Sequence, residues 1–226
     1  VRMYAVQALG DVKNSASEQA LLSMLEDPNR NVRFNAVEAL GKQQSQQAVE
    51  PLTAILHGED IFLFFGALQA LVQIGDPRPV PDLLPLLSED LLAPAVVQAL
   101  GHLGGPQVVE PILSWLETGP GEVDSALIAL QDLARRHPVR AEVVQGLGRK
   151  SYQKILQSIP DDLPAHPQPG EIRFYSALIE VLGWLYQDYP CSPEEIRQIL
   201  AGLVRLLEVP DDEGLEAAVR VLAAAG

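Results

Sequence analysis

Apolar residues fall into short stripes with helical spacing, broken by glycine, proline and acidic residues, and the stripes recur. Residues 4–10 read YAVQALG, 35–41 NAVEALG, 66–72 GALQALV, 95–101 AVVQALG and 125–131 SALIALQ. Their Ala-Leu pairs begin at Ala8, Ala39, Ala70, Ala99 and Ala129, in steps of 31, 31, 29 and 30 residues. A fixed period of this length marks a repeat architecture. Fainter copies follow at Val181-Leu182 and Val221-Leu222, where the steps stretch to 52 and 40.

Each unit holds two such stripes. In the second unit Val32, Ala36, Val37 and Leu40 share one helical face, and Ala48, Val49, Leu52, Ile55 and Leu56 share another. The spacing therefore predicts a helical hairpin per unit. Gly10, Gly41 and Gly101 stand where a left-handed cap would end the first helix. Asp27-Pro28, Asp76-Pro77 and Gly105-Pro106 fit the turns between helices, and Pro51 and Pro111 fit the first turn of the second helix. One hairpin cannot hide both apolar stripes, so neighbours must stack. Each buried Leu or Val contributes roughly 1.5–3 kcal/mol, enough for a stripe of five to outweigh the marginal stability of short helices. The expected fold class is all-α: an α–α superhelix of about six to seven hairpins.

The run from Asp27 to Gly41, DPNRNVRFNAVEALG, carries an acidic turn, a Val-Arg pair, an Ala and an Ala-Leu-Gly. It resembles the HEAT-like repeat signature, in the short variety called phycobilisome-lyase-type HEAT repeats. The resemblance is specific over 1–134 and loose beyond. Arg2 and Arg33 keep the Val-Arg arginine, whereas Phe64, Ala93 and Val123 replace it, so an arginine ladder would be lost in the middle of the array.

The organisation changes near residue 135. Residues 158–170 hold four prolines and read as an irregular loop, and a longer hairpin follows over 174–189 and 192–208. Ser192-Pro193-Glu194-Glu195 is a strong helix start, and 211–225 forms a last helix. The expected organisation is thus regular repeats over 1–134 and divergent ones over 135–226, in one continuous solenoid. An array that opens at Val1 and stops in mid-unit is expected of a piece of a longer chain.

Composition narrows the function. The 226 residues are 47% apolar, too many for a disordered chain. A net charge of −14 opposes binding to phosphate backbones. One cysteine, Cys191, allows neither an internal disulfide nor a cysteine metal cluster and fits a reducing, cytoplasmic setting. No window is long and apolar enough for a membrane span. The motifs of phosphate loops, dinucleotide folds, nucleophile elbows and zinc proteases are all missing from the sequence. His57, His102, His137 and His166 occur singly and none precedes a Glu, which excludes the di-iron helical-repeat hydroxylases. No catalytic residue, metal ligand or cofactor site is expected.

Two features stand out as binding candidates. Charge is uneven: the nets are 0 over 1–49, −11 over 50–132, +5 over 135–154 and −8 over 155–226. The basic island consists of Arg135, Arg136, Arg140, Arg149, Lys150 and Lys154, which could form an anion or acidic-partner site or a set of salt bridges to adjacent repeats. Gly146 and Gly148 are expected to interrupt its helix. The run Ile61 to Phe65 holds three of the five phenylalanines. Aligned with earlier units, Leu63 and Phe65 take core positions, while Phe62 and Phe64 replace the polar Asn31 and Arg33 and become candidate hydrophobic anchors. Two residues apart, they point to opposite sides of a helix, so at most one need be exposed, and extra packing against the next repeat is the alternative.

These readings point to a protein–protein interaction scaffold without catalysis, binding neither nucleic acid nor membrane. The resemblance implies an enzymatic alternative: a bilin lyase or isomerase acting on phycobiliproteins, with the island and Tyr152 holding a tetrapyrrole's propionates. A helical-repeat DNA-base glycosylase ranks last, because it needs a basic groove.

Overall fold

A computed structural model describes residues 2–119, 122–164 and 166–207, together with positions 216, 218, 219, 222 and 223. Among these residues all regular structure is helical. The chain divides into two compact units, Val1–Ser88 and Glu89–Gly226.

The first unit comprises α1 (Arg2–Gly10), α2 (Ser15–Met24), α3 (Arg30–Gln43), α4 (Val49–Ile55), α5 (Ile61–Ile74) and α6 (Val80–Leu83), the last continuing as a 3-10 turn over Leu84–Ser88. Successive pairs form three hairpins. The first helices pack side by side, α1 on α3 and α3 on α5, while α2 and α4 cover one flank of α3 and α5. The stripes read from the sequence fill this core: Val32, Ala36, Val37, Leu40, Ala48, Val49, Leu52 and Leu56 are all buried, and Ile55 alone of them is half-buried. α3 and α5 each begin at a side-chain cap, Asn29 accepting from the Asn31 amide and Asp60 from the amides of Phe62 and Leu63.

The second unit comprises α7 (Ala93–Leu103), α8 (Val109–Thr118), α9 (Val123–Arg136), α10 (Arg140–Gly146), α11 (Arg149–Gln157), α12 (Pro169–Asp188) and α13 (Pro193–Leu206). Here α7 packs on α9 and α9 on α12, again first helix against first helix. The break expected at Gly146 and Gly148 separates α10 from α11. Ser192 caps α13 in a reciprocal box with Glu195, as its sequence indicates. By contrast, α12 starts at Pro169, five residues before the position expected, because Gln168 and Glu171 form a capping box and Pro169 occupies N1. Most of the helix expected over 211–225 lies outside the described residues; the described positions there are helical.

The glycines of the repeat serve a different purpose from the one their position suggested. Gly10, Gly41 and Gly101 lie within helices, and the left-handed residues are Gln44 (φ 56°) and Gly75 (φ 75°). A Cβ on Gly10 would stand 3.1 Å from Ala39 Cβ, one on Gly41 2.8 Å from Ala70 Cα, and one on Gly101 2.6 Å from Ala129 Cα. Each glycine therefore receives the Ala of the next unit's Ala-Leu pair. The motif is a helix–helix seam, which sets adjacent first helices close together.

Candidate functional site

The outward face of the first unit carries apolar side chains in repeat register. Met3, Phe34 and Phe65 lie 31 residues apart on α1, α3 and α5, and they are 44%, 40% and 41% exposed. The Phe34 ring reaches across to α5, where a Cβ on Gly66 would come within 3.1 Å of it. Tyr4 and Phe62 extend the row and are more exposed still, and α5 has no charged residue along its length. Met3, Phe34 and Phe65 thus depart from the core packing expected of them.

Helical geometry accounts for this. At about 100° per residue, the core arc of α5 runs from Leu63 through Ala67 and Leu71 to Leu68. Phe64 falls inside that arc, whereas Phe62 and Phe65 fall outside it on either side. Phe64 is accordingly buried, 2% exposed, and meets Phe65 edge to face at 5.4 Å. As a surface anchor Phe64 is therefore corrected: it is a core residue. Phe62 is 65% exposed and lies beneath the Arg30 guanidinium, 4.5 Å from its ring centroid. Arg30 also donates to Asp60 at 2.6 Å. Partial burial alone would raise the Asp60 carboxyl, but Arg30 and the amides of Leu63 and Phe62 hold it below the ordinary carboxylate value. Arg33, the equivalent of Phe64 one unit earlier, folds back to donate to the Asp27 carbonyl at 2.9 Å. The side chain of Arg2 lies outside the described residues.

Beside the apolar row, between α1 and α3, lies a polar depression of about 380 Å³ lined by Gly10, Asp11, Asn35, Glu38, Ala39 and Lys42. The Lys42 ammonium donates to Glu38 at 2.8 Å, and this bond, reinforced by Asp11, raises its pKa.

The basic island does not converge on one surface. Arg136 donates to the carbonyls of Gly101, Gly104 and Asp132, closing the C-terminal end of α7. Lys154 does the same for α8 through the Leu116 and Gly119 carbonyls, at 2.6 and 3.2 Å. Arg140 pairs with Asp188 at 2.5 Å and Arg149 with Glu195 at 2.6 Å. The backbone amide of Lys150 joins the amide and hydroxyl of Ser151 in donating to Glu117, whose carboxyl is held low mainly by Ser151. Arg135 is exposed at the end of α9. These partners lie 32 to 48 residues away, apart from the Asp132 carbonyl four residues from Arg136.

Among the histidines, His102 comes within 3.4 Å of Asp132, which also accepts from Arg173 at 2.6 Å. Burial is the main influence lowering the His102 pKa; Asp132 opposes it, and Arg173 and Arg136 reinforce it. Tyr152 is fully buried, stacks on Tyr189 at 4.5 Å and donates to Cys191 Sγ at 3.4 Å. Burial pushes the Cys191 thiol up, away from a reactive thiolate. Among the described residues no group of three or more His, Cys, Asp or Glu could hold a metal ion. Nor is any described helix long and apolar enough to cross a membrane.

Side-by-side first helices, a repeated Gly/Ala seam and hairpins of about 30 residues define a HEAT-like repeat protein of the α–α superhelix class. HEAT repeats match residues 1–63 at the level of sequence. Over 99% of its length the chain is similar to a chain in the complex of CpcE and CpcF of phycocyanin lyase from Nostoc sp. PCC7120, with 21% identity, a TM-score of 0.55 and 88% of that chain covered. It is also similar to an engineered protein, at 17% identity and a TM-score of 0.58 over 91% of this chain and 95% of the other. No curated protein matches it in sequence.

Proposed function

We propose that the chain is a protein–protein interaction scaffold, with the open face of α1, α3 and α5 as a docking surface. The observation that carries this is the row Met3, Phe34 and Phe65, a large apolar side chain left exposed at the same register position on the first helices of three successive repeats. Sequences of soluble proteins rarely keep contiguous apolar groups in water without a use for them. Isolated exposed residues need no explanation, whereas these three recur at one register position on helices packed side by side. The similar chain from Nostoc is itself part of a complex of two proteins. Affinity capture with the intact chain tests the reading: a specific partner is expected, and its absence under native conditions would end the proposal.

The likeness to the phycocyanin lyase complex over 99% of the chain favours a second reading, a bilin lyase or isomerase. Its weak point is the basic island, since Arg136, Arg140, Arg149 and Lys154 already have partners. Addition of phycocyanobilin, with and without apo-phycobiliprotein, tests it; an unchanged absorbance spectrum rules it out.

A further inference from the structure

We infer that the occupant of the α1–α3–α5 face is an amphipathic helix of a partner protein, lying across the three helices with an apolar residue at every seventh position and basic residues along one flank. This rests on the scaffold reading and specifies what that scaffold holds. Spacing is the first argument. The Gly10–Ala39 and Gly41–Ala70 contacts draw the first helices together, and helices so packed lie about 8–10 Å apart. Met3, Phe34 and Phe65 therefore form a row of apolar groups at that interval. Seven residues of α-helix advance about 10.5 Å, so residues i, i+7 and i+14 meet three successive rungs, and the drift of about 20° per heptad stays small over two steps. Residues three or four apart on a helix are too close to reach successive rungs.

Charge supplies the second argument and gives the orientation. Along α3, Glu38 lies one turn past Phe34, and with Asp11 and Lys42 it lines the polar depression between α1 and α3. Lys42 is held against Glu38, leaving the depression with one more acid than base. The first unit as a whole carries six basic and ten acidic side chains. α5, lacking any charge, neither adds to nor opposes this field. A helix seated on the row would therefore turn Lys or Arg toward the C-terminal ends of α1 and α3, where complementary charge fixes register and speeds association.

A fluorescently labelled, helix-forming synthetic peptide of about 20 residues, long enough for three rungs, serves as the probe. It carries Leu at every seventh position and Lys along one flank, and is compared with a reordered peptide of the same composition and one with Glu in place of Lys. The full chain should bind the first peptide, with affinity falling about tenfold or more in Phe34→Glu/Phe65→Glu, as for central interface anchors. The Glu-flanked peptide should bind more weakly, and the difference should shrink with salt. Met3→Ser and Phe65→Ser, milder changes at half-exposed sites, should each weaken binding and keep the test valid should the double variant misfold. No binding, equal binding of the reordered peptide, or unchanged affinity in folded variants overturns the inference. A natural partner captured equally by the wild type and by Phe34→Glu/Phe65→Glu would also overturn it, together with the choice of this face, while leaving intact the reading of the chain as a scaffold. Failure of the wild type to capture any partner counts against the scaffold reading, and the peptide assay still decides this one.

Discussion

Gly41 of α3 and Ala70 of α5 touch so closely that a Cβ on the glycine would lie 2.8 Å from both Cα and Cβ of the alanine. Gly41→Ala should therefore force the two helices apart and destabilise the first unit by about 1–3 kcal/mol, the usual cost of overpacking. Gly170→Ala is the contrast: nothing lies within 4 Å of its added methyl, and α12 should gain about 0.5 kcal/mol. Gly75→Ala, at φ 75° in open space, should lose about 1 kcal/mol or more through backbone strain alone. Urea unfolding of the three variants would rank them.

Phe64 and Phe65 should separate stability from surface function. Phe64→Ala removes a buried ring and should cost about 3–5 kcal/mol. Phe65→Ser loses the edge-to-face contact with Phe64 and should cost about 1 kcal/mol, leaving the helical circular dichroism unchanged. A large loss of stability at Phe65 would mean that its ring is core after all.

Glu117 links acid sensitivity to one helix start. Its carboxylate accepts from Ser151 and from the amide of Lys150 at the beginning of α11, which depresses its pKa in the folded chain. A depressed carboxyl contributes stability in full above its unfolded value, about 4.3, and loses it as pH falls through the lower folded value. Glu117→Gln should therefore be less stable than the wild type at neutral pH, with the gap closing as pH drops below about 4. Denaturant midpoints measured from pH 7 to 3 would show a constant gap if the carboxylate were unimportant.

The cations of the second unit should behave as fasteners of different strength. Arg136→Ala strips a donor from the carbonyls of Gly101 and Gly104, both in buried residues, and should cost about 1–3 kcal/mol. Arg149→Ala breaks a surface pair with Glu195 and should cost distinctly less. Equal losses in thermal unfolding would refute this division.

The hairpins were legible because burial repeats with the sequence: the face Val32, Ala36, Val37 and Leu40 could be drawn from spacing alone. The purpose of Gly41 could not, since a glycine near a helix end reads as a cap until the neighbouring helix is in place. The sorting of Phe64 inward and Phe65 outward was present in the angular positions along α5. It was hidden by aligning Phe65 with Met3 and Phe34 and taking all three as core. The fate of the basic island was not legible at all, because Arg140 and Lys154 find their partners 35 to 48 residues away.

In the first unit α1 offers a glycine, Gly10, to α3 and α5 offers an alanine, Ala70, to α3, while α3 itself presents both, Ala39 to the helix before it and Gly41 to the helix after it. Its two contact surfaces are therefore a matching plug and socket. Copying the 31 residues from one seam to the next would recreate both joints without altering either neighbour. An array joined in this way can grow or shrink by whole links, and each added link would lengthen the aromatic row by one rung.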